Sequence, residues 1–178
     1  EGIVVTNKHV IDAGNWFRVY ATGADERVNL ECYKAITKSD SKINLDNDVA
    51  YLRAYLPCAH GMLDFADDPW PGDPVSIIGF PFRGSLSASL PLAVMTGSVT
   101  GYSEQGWLST DAYLDTGISG GPVVHGHDVL GVAVAKGIDG SGGYIEGYFI
   151  PSSVILNGLL YANDSGFGYI PRSRSSSS

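Results

Sequence analysis

Short apolar segments separated by turn residues dominate the chain. Nine segments are rich in Val, Ile, Tyr and Phe, alternate in places with period two, and are bounded by Gly, Asp, Asn or Pro, which is typical of β-strands. They are "GIVVTN", "WFRVYA", "ERVNLECYKAI", "DVAYLRAYL", "PVSIIGF", "LAVMTGSVTGY", "GPVVHG", "HDVLGVAVA" and "GYIEGYFI". The pattern predicts an all-β protein, either a barrel or a sandwich.

Helical signals are confined to two short segments. One is a turn after His9, in "HVIDAG", and the other is a last helix near "PSSVILNGLLYA", where Ser152 or Ser153 is the expected N-cap. The Pro- and Gly-rich segment "DDPWPGDP" lies between two groups of strands, and we interpret it as a joint between two halves of one folded unit. The Ser- and Arg-rich residues 166–178 are expected to be disordered.

Composition excludes several classes of function. The 178 residues carry a net charge of −8 without a basic stripe, so nucleic acid is not an expected partner. No apolar run approaches the ~18 residues of a membrane span. No metal cluster or nucleotide-binding loop is found, so no cofactor is expected, and His125 and His127 in "HGHD" fit a hairpin turn better than a metal site. Cys32 and Cys58 leave open either a disulfide or two half-buried thiols.

The segment "DTGISGGPVV" places three glycines and a proline around Ser119. A tight glycine-rich turn is what a nucleophilic serine requires, and "GISGG" matches the G-x-S-x-G nucleophile elbow. That elbow needs a helix after the serine, and an acid and a histidine further along the chain. Strand residues follow here, and His125 and His127 come too soon after Ser119 to fold back as its base. The elbow interpretation is therefore rejected.

Two residues upstream of Ser119 supply the base and the carboxylate that a nucleophilic serine requires. His9 follows a predicted strand in "VVTNKHVID", and Asp48 begins an apolar strand in "DNDVAYLRA". A serine needs an imidazole to accept its proton, and the imidazole needs a carboxylate to fix its tautomer. The order His, Asp, Ser is that of the chymotrypsin-like enzymes. We therefore predict a triad of these three residues; Asp40 and Asp46 compete with Asp48 but do not directly precede the apolar strand.

Six segments, in one order, resemble the trypsin-like serine proteases, most closely the HtrA (DegP-like) branch. They are "IVVTNKHVI", "DNDVAYLRA", "PGDPVSIIGFPF", "MTGSVTG", "DAYLDTGISGGPVV" and "VLGVAVAKG…FIPSSVI". The resemblance implies one domain over residues 1–165 with two six-stranded antiparallel β-barrels, over about 1–66 and 72–150, and a closing helix over about 151–162. It places the triad in the cleft between the barrels.

The resemblance also implies an activity and a substrate. It implies a serine endopeptidase that cleaves a protein or peptide through an acyl-enzyme, with an oxyanion hole from the backbone N–H groups of Gly117 and Ser119. It places the substrate pocket between Tyr113 and Leu114 on one wall and Val134, Ala135 and Lys136 on the other. Tyr113 stands where trypsin has an acid, so an apolar P1 residue is expected, because a basic one would be buried unpaired. The resemblance also favours an extracytoplasmic or secreted location.

Three features depart from the family pattern. Such proteases have one or two more strands ahead of the histidine segment, and without them the first barrel would be open at an edge. We therefore expect either that the sequence is a fragment of a longer protein or that the first barrel is closed differently. Ile118 stands where digestive relatives have an aspartate that pairs with a freed N-terminus, and where the HtrA branch has asparagine. Isoleucine excludes that ion pair. It also leaves undecided whether the oxyanion turn has its active shape at rest. No PDZ module is expected after the closing helix. A catalytically silent binding module and a narrow processing protease of a polyprotein, viral for instance, stay open as alternatives.

Overall fold

The computed structural model describes most of the two halves of the chain. The described residues are 2–12, 14, 16–22, 28–37, 41–44, 47–54, 64–79, 93–114, 117–138 and 140–164. Asp40, Asp46, Cys58 and the tail after residue 165 lie outside them.

Twelve strands and two helices form within the described residues, so the predicted all-β class is confirmed. The strands are β1 (Gly2–Asn7), β2 (Trp16–Thr22), β3 (Val28–Thr37), β4 (Ser41–Asn44), β5 (Val49–Ala54), β6 (Asp64–Phe65), β7 (Pro74–Gly79), β8 (Ala93–Tyr102), β9 (Leu108–Thr110), β10 (Pro122–His125), β11 (Asp128–Ile138) and β12 (Tyr144–Pro151). The helices are α1 (Lys8–Ile11) and α2 (Ser152–Asp164). Neither described helix is long and apolar enough to cross a membrane.

Six strands of the C-terminal half close into an antiparallel barrel. Neighbours follow the order β10-β7-β8-β9-β12-β11, and β10 pairs again with β11, which closes the ring. The short β6 adds in parallel to the start of β11. Buried apolar side chains from these strands and from the loop before β10 fill the interior, among them Val75, Ile77, Val99, Leu108, Ile118, Val123 and Phe149. The predicted C-terminal barrel is thereby confirmed.

The N-terminal half forms two smaller sheets. Strands β1, β5 and β4 make an antiparallel sheet in the order β1-β5-β4, and β2 pairs with β3 in an antiparallel hairpin. Strand pairing does not join the two sheets within the described residues, so a closed six-stranded barrel is not found in the described part of this half. The first barrel stays a prediction.

A second apolar cluster joins the two halves. Val49 and Tyr51 of β5 pack against Val132 and Val134 of β11, and Ile155 of α2 belongs to the same cluster. The buried Tyr51 hydroxyl donates a hydrogen bond to the Ile155 carbonyl at 2.9 Å, and burial raises the pKa of Tyr51 above its usual value. The start of β5, directly after Asp48, is therefore fixed against the C-terminal barrel.

The Pro- and Gly-rich segment between the halves, residues 67–74, caps the N-terminus of α2. Asp68 accepts a hydrogen bond from the backbone N–H of Ser153 at 2.9 Å, and the Ser153 hydroxyl also bonds to this carboxylate. The buried Ser152 hydroxyl instead donates to the Val129 carbonyl at 2.8 Å. The predicted serine cap is wrong, because a carboxylate from a distant segment reaches the helix N-terminus, where negative charge is favourable.

Candidate active site

His9 and Asp48 are in contact at the end of β1. His9 lies in α1, and Asp48 directly precedes β5, whose pairing with β1 sets Val49 opposite Asn7. His9 Nδ1 lies 2.6 Å from Asp48 Oδ2, and the His9 backbone N–H donates to Asp48 Oδ1 at 2.9 Å. One carboxylate therefore holds both the backbone and the ring of His9. This contact orients the imidazole through Nδ1 and leaves Nε2 on the side of the ring away from Asp48.

Asp48 is held through its backbone as well as its carboxylate. Its φ is +56°, in the left-handed region that Asp tolerates better than most residues. Its carbonyl accepts hydrogen bonds from the Lys8 N–H at 2.9 Å and from Asn7 Nδ2 at 3.3 Å. Asn7 and Lys8 thus bind the carbonyl of Asp48, and His9 binds its carboxylate.

Ser119 lies in a glycine turn just before β10. Gly117 and Gly120 have φ values of +95° and +89°, which only glycine adopts without strain. The Gly120 N–H donates to the Ala133 carbonyl of β11, and the Gly121 N–H donates to the Ile118 carbonyl, each at 2.9 Å. These bonds pin the turn to the barrel and to itself.

The Ser119 hydroxyl points at β11. It donates a hydrogen bond to the Val134 carbonyl at 3.1 Å, and no hydrogen bond to His9 occurs among the described residues. A cavity of about 300 Å³ borders the serine turn between β1 and the end of β7. Its lining residues are Val4, Val5, Thr6, Ile78, Gly79, Gly117, Ile118, Ser119, Gly120, Gly121 and Pro122. Ser119 therefore borders a cleft between the N-terminal strand β1 and the C-terminal barrel.

Ile118 anchors the serine turn from inside the barrel. Its side chain is buried in the core cluster and packs against Gly79 at the end of β7. Apolar packing thus fixes Ile118, the residue at which the digestive relatives have the aspartate of the zymogen ion pair.

The expected pocket residues lie on two segments of the barrel. Leu114 and Val134 are buried, Ala135 is half-buried, and Lys136 is exposed. Tyr113 is 51% exposed, so it does not pack inside the barrel.

Tyr144 of β12 organises the segment that carries Tyr113 and Leu114. Its ring packs on that of Tyr113, with 4.9 Å between ring centroids. Its hydroxyl accepts a hydrogen bond from the Leu114 N–H at 3.2 Å and donates one to the Ala112 carbonyl at 3.0 Å. Burial raises the pKa of Tyr144 above its usual value.

His125 and His127 lie away from this cleft. Both are exposed at the turn of the β10–β11 hairpin, as the sequence predicted. Within the described part of the chain, no three His, Cys, Asp or Glu side chains group as a metal site.

Three groups with hydrogen bonds at or near the candidate site were missed by the sequence interpretation. They are the amide of Asn7, the carbonyl of Val134 and the hydroxyl of Tyr144. Asn7 lies two residues before His9 in "VVTNKHVID", and this closeness was the only feature of the sequence that could have indicated its contact with the candidate site. A backbone carbonyl and an aromatic residue in a strand have no sequence pattern that indicates a role.

Known proteins with similar sequences are proteases. Residues 1–134 match the family described as "Trypsin-like peptidase domain". The chain is 29% identical over 173 residues to "Putative protease Do-like 3, mitochondrial" of Arabidopsis thaliana, covering 92% of this chain and 28% of that protein. It is 29% identical over 181 residues to the magnetosome formation protease MamE of Magnetospirillum gryphiswaldense, covering 97% and 22%. The chain thus spans about a quarter of the length of these relatives.

Solved structures show the same fold. The MamO protease domain from Magnetospirillum magneticum in its apo form has a TM-score of 0.64 at 19% identity, covering 88% of this chain and 82% of that chain. The HtrA-type protease AlgW with a tripeptide has a TM-score of 0.68 at 22% identity, covering 93% and 54%. The resemblance to the trypsin-like proteases of the HtrA branch is confirmed, and the chain belongs to the trypsin-like peptidase domain family.

Proposed function

We propose that the chain is a serine endopeptidase domain with His9, Asp48 and Ser119 as its catalytic triad. The observation that carries the proposal is the double contact of one carboxylate with His9, at 2.6 Å to the ring and 2.9 Å to the backbone. His9 is half-exposed, and an ion pair at such a site adds little stability. The arrangement is therefore better explained by orientation of the imidazole than by stabilisation of the fold.

The chemistry assigns one task to each residue. Ser119 Oγ attacks the scissile carbonyl and gives its proton to His9 Nε2, while Asp48 stabilises the imidazolium. His9 then returns the proton to the leaving amine, and water hydrolyses the acyl-enzyme by the same route. In the resting structure the Ser119 hydroxyl donates to the Val134 carbonyl at 3.1 Å, so this hydrogen bond must break before the proton passes to His9.

The N–H groups of Gly117 and Ser119 are the proposed oxyanion hole. The left-handed backbone of Gly117 and Gly120 shapes the turn that carries both donors. The loss of one such donor typically costs about 3 kcal/mol of transition-state stabilisation.

The same proposal includes a preference for small apolar P1 residues. The buried Leu114 fills the space beside Gly147, since a Cβ built at Gly147 would lie only 2.5 Å from Leu114 Cδ1. The Glu146 carboxylate on the same strand accepts a hydrogen bond from the Tyr148 hydroxyl at 2.8 Å. The exposed Lys136 on the other wall repels a basic P1 side chain. A basic P1 side chain would therefore meet a like charge at Lys136, whereas a small apolar side chain would not.

A peptide series tests both the activity and the pocket. Matched peptides with Ala, Val, Phe or Arg at P1 are incubated with the native chain and with the Ser119→Ala and His9→Ala variants. We expect cleavage by the native chain alone, fastest for Ala or Val. Faster cleavage after Arg would refute the pocket assignment, and equal cleavage by Ser119→Ala would refute the triad.

One observation favours a second candidate function, a protease-like binding module. The Ser119 hydroxyl bonds to Val134, so the triad is not closed in the resting structure. A binding module would hold the same peptides without cleaving them. Titration calorimetry with the same P1 peptides separates the binding module from the protease. A binding module gives binding heat and leaves the peptides intact, whereas a protease releases products while the heat is recorded. The number of sites cut in an unfolded protein then distinguishes a broad protease from a processing enzyme.

A further inference from the structure

Asn7 is fully buried at the end of β1, two residues before His9, and its side chain has an unusual hydrogen-bond pattern. Its Nδ2 donates to the Asp48 carbonyl at 3.3 Å, whereas its Oδ1 is buried without a hydrogen-bond partner among the described residues. Asn7 also occupies the N-cap position of α1, where asparagine is among the best capping residues, yet its side chain makes no capping bond. The amide is turned away from the helix and towards Asp48.

This placement is unfavourable for the fold alone. A buried acceptor without a partner costs free energy, and an apolar residue of similar shape avoids that cost. The capping bond that Asn7 does not make is a further loss. A purely structural role would favour either a capping asparagine or an apolar residue at this position.

The benefit of the placement lies at Asp48. The φ of Asp48 is +56°, which costs some free energy even for Asp and is stabilised by hydrogen bonds to its peptide group. Its carbonyl has two donors, the Lys8 N–H at 2.9 Å and Asn7 Nδ2. The Lys8 donor is a backbone group that every variant retains. Asn7 is the one side chain among the described residues that bonds to this carbonyl.

We propose that Asn7 is a positioning residue for the acid of the triad. Its amide holds the peptide group of Asp48 so that Oδ1 and Oδ2 meet the backbone and ring of His9. Asn7 itself touches no reacting atom, and its effect reaches His9 through Asp48. The inference rests on the proposed function, since it concerns the orientation of His9 as a base.

Two variants of the full chain test the inference. Asn7→Ala removes the amide, and Asn7→Leu removes it while keeping the volume of the side chain. We expect kcat to fall about tenfold or more in both, because small displacements of catalytic groups have effects of this size. We expect KM to be unchanged, and the urea midpoint of Asn7→Leu to be no lower than that of the native chain. Ile11→Val, a change in the buried side chain of α1, is the control that lowers stability and keeps kcat.

A second readout does not depend on turnover. A proton held between His9 Nδ1 and Asp48 Oδ2 resonates far downfield in the proton NMR spectrum. We expect this resonance to be lost or shifted upfield in Asn7→Ala and Asn7→Leu, and to be unchanged in Ile11→Val.

The outcomes separate this inference from the proposed function. Native kcat and a native resonance in both variants would overturn the role of Asn7. An inactive native chain would overturn the proposed function, and the resonance alone would then decide whether Asn7 positions Asp48. Should Asn7→Ala fail to fold, Asn7→Leu decides. Failure of Asn7→Leu to fold would show a structural role and overturn the inference.

Discussion

Gly121→Ala is a small change that bears directly on the serine turn. Gly121 follows the turn of Ser119, donates to the Ile118 carbonyl and accepts a hydrogen bond from the Ala133 N–H at 2.9 Å. A Cβ built at this position would lie 3.0 Å from the carbonyl oxygen of Ile118 and closer still to that of Ile78. Both neighbours are backbone atoms and cannot rotate away. The turn itself must therefore move.

The size of the effect follows from that displacement. A carbon atom needs about 3.5 Å to a neighbouring heavy atom for a favourable contact, so the turn must shift by at least about 0.5 Å. A misplacement of about 1 Å costs about 100-fold in rate, so we expect kcat/KM to fall between about 10-fold and 100-fold. The φ of Gly121 is not in the left-handed region, so alanine adds a steric clash without backbone strain.

The assay compares kcat/KM on the best P1 peptide with the free energy of unfolding in urea. Gly101→Ala on β8 is the matched control, because its Cβ would lie 3.5 Å from Ser109 Oγ, an ordinary contact. Its kcat/KM should stay within about twofold of the native value. Native kcat/KM in a stably folded Gly121→Ala variant would refute the account of the serine turn.

Three further changes have expected outcomes. Asp48→Asn should keep the fold, since asparagine also tolerates a φ of +56°, but should lower kcat about 10⁴-fold because the amide favours the wrong tautomer of His9; a loss of less than tenfold would contradict the triad. Burial raises the pKa of Tyr51 in the folded chain, so its contribution to stability is complete below the unfolded value of about 10 and is lost as the pH rises above it. Urea unfolding between pH 8 and 11 should show this loss in the native chain and a smaller one in Tyr51→Phe, and equal pH slopes would refute the assignment. Tyr144→Phe should lower the ratio of kcat/KM for P1 Val over P1 Arg severalfold, and an unchanged ratio would show that the hydroxyl does not shape the pocket.

Local pattern was sufficient for the longer strands and insufficient for the short ones. Each of the nine predicted segments forms a strand, because several Val, Ile or aromatic residues between turn residues are a strong signal. Strands β4, β6 and β9 have four, two and three residues, and each contains only one large apolar residue. Their pairing partners, which lie elsewhere in the chain, determine them. The cap of α2 by Asp68 was missed for the same reason, since 85 positions separate it from Ser153.

The residues of the candidate site differ in how much signal they carry. His9 and Asp48 stand next to recognisable strands, and the structure brings them into contact. Ser119 is marked by its glycines, but the direction of its hydroxyl towards Val134 depends on the packing of the turn on β11. The sequence pattern around Asn7 is typical of an ordinary helix-capping residue, and only the fold shows that its amide donates a hydrogen bond to the Asp48 carbonyl.

The central claim is that Ser119 is a nucleophile activated by His9. The most direct measurement is the intact mass of the folded chain after treatment with a fluorophosphonate, beside the Ser119→Ala and His9→Ala variants. We expect one adduct on the native chain, none on Ser119→Ala and strongly slowed labelling of His9→Ala. A folded native chain that acquires no adduct, or an adduct that persists in Ser119→Ala, would contradict this claim.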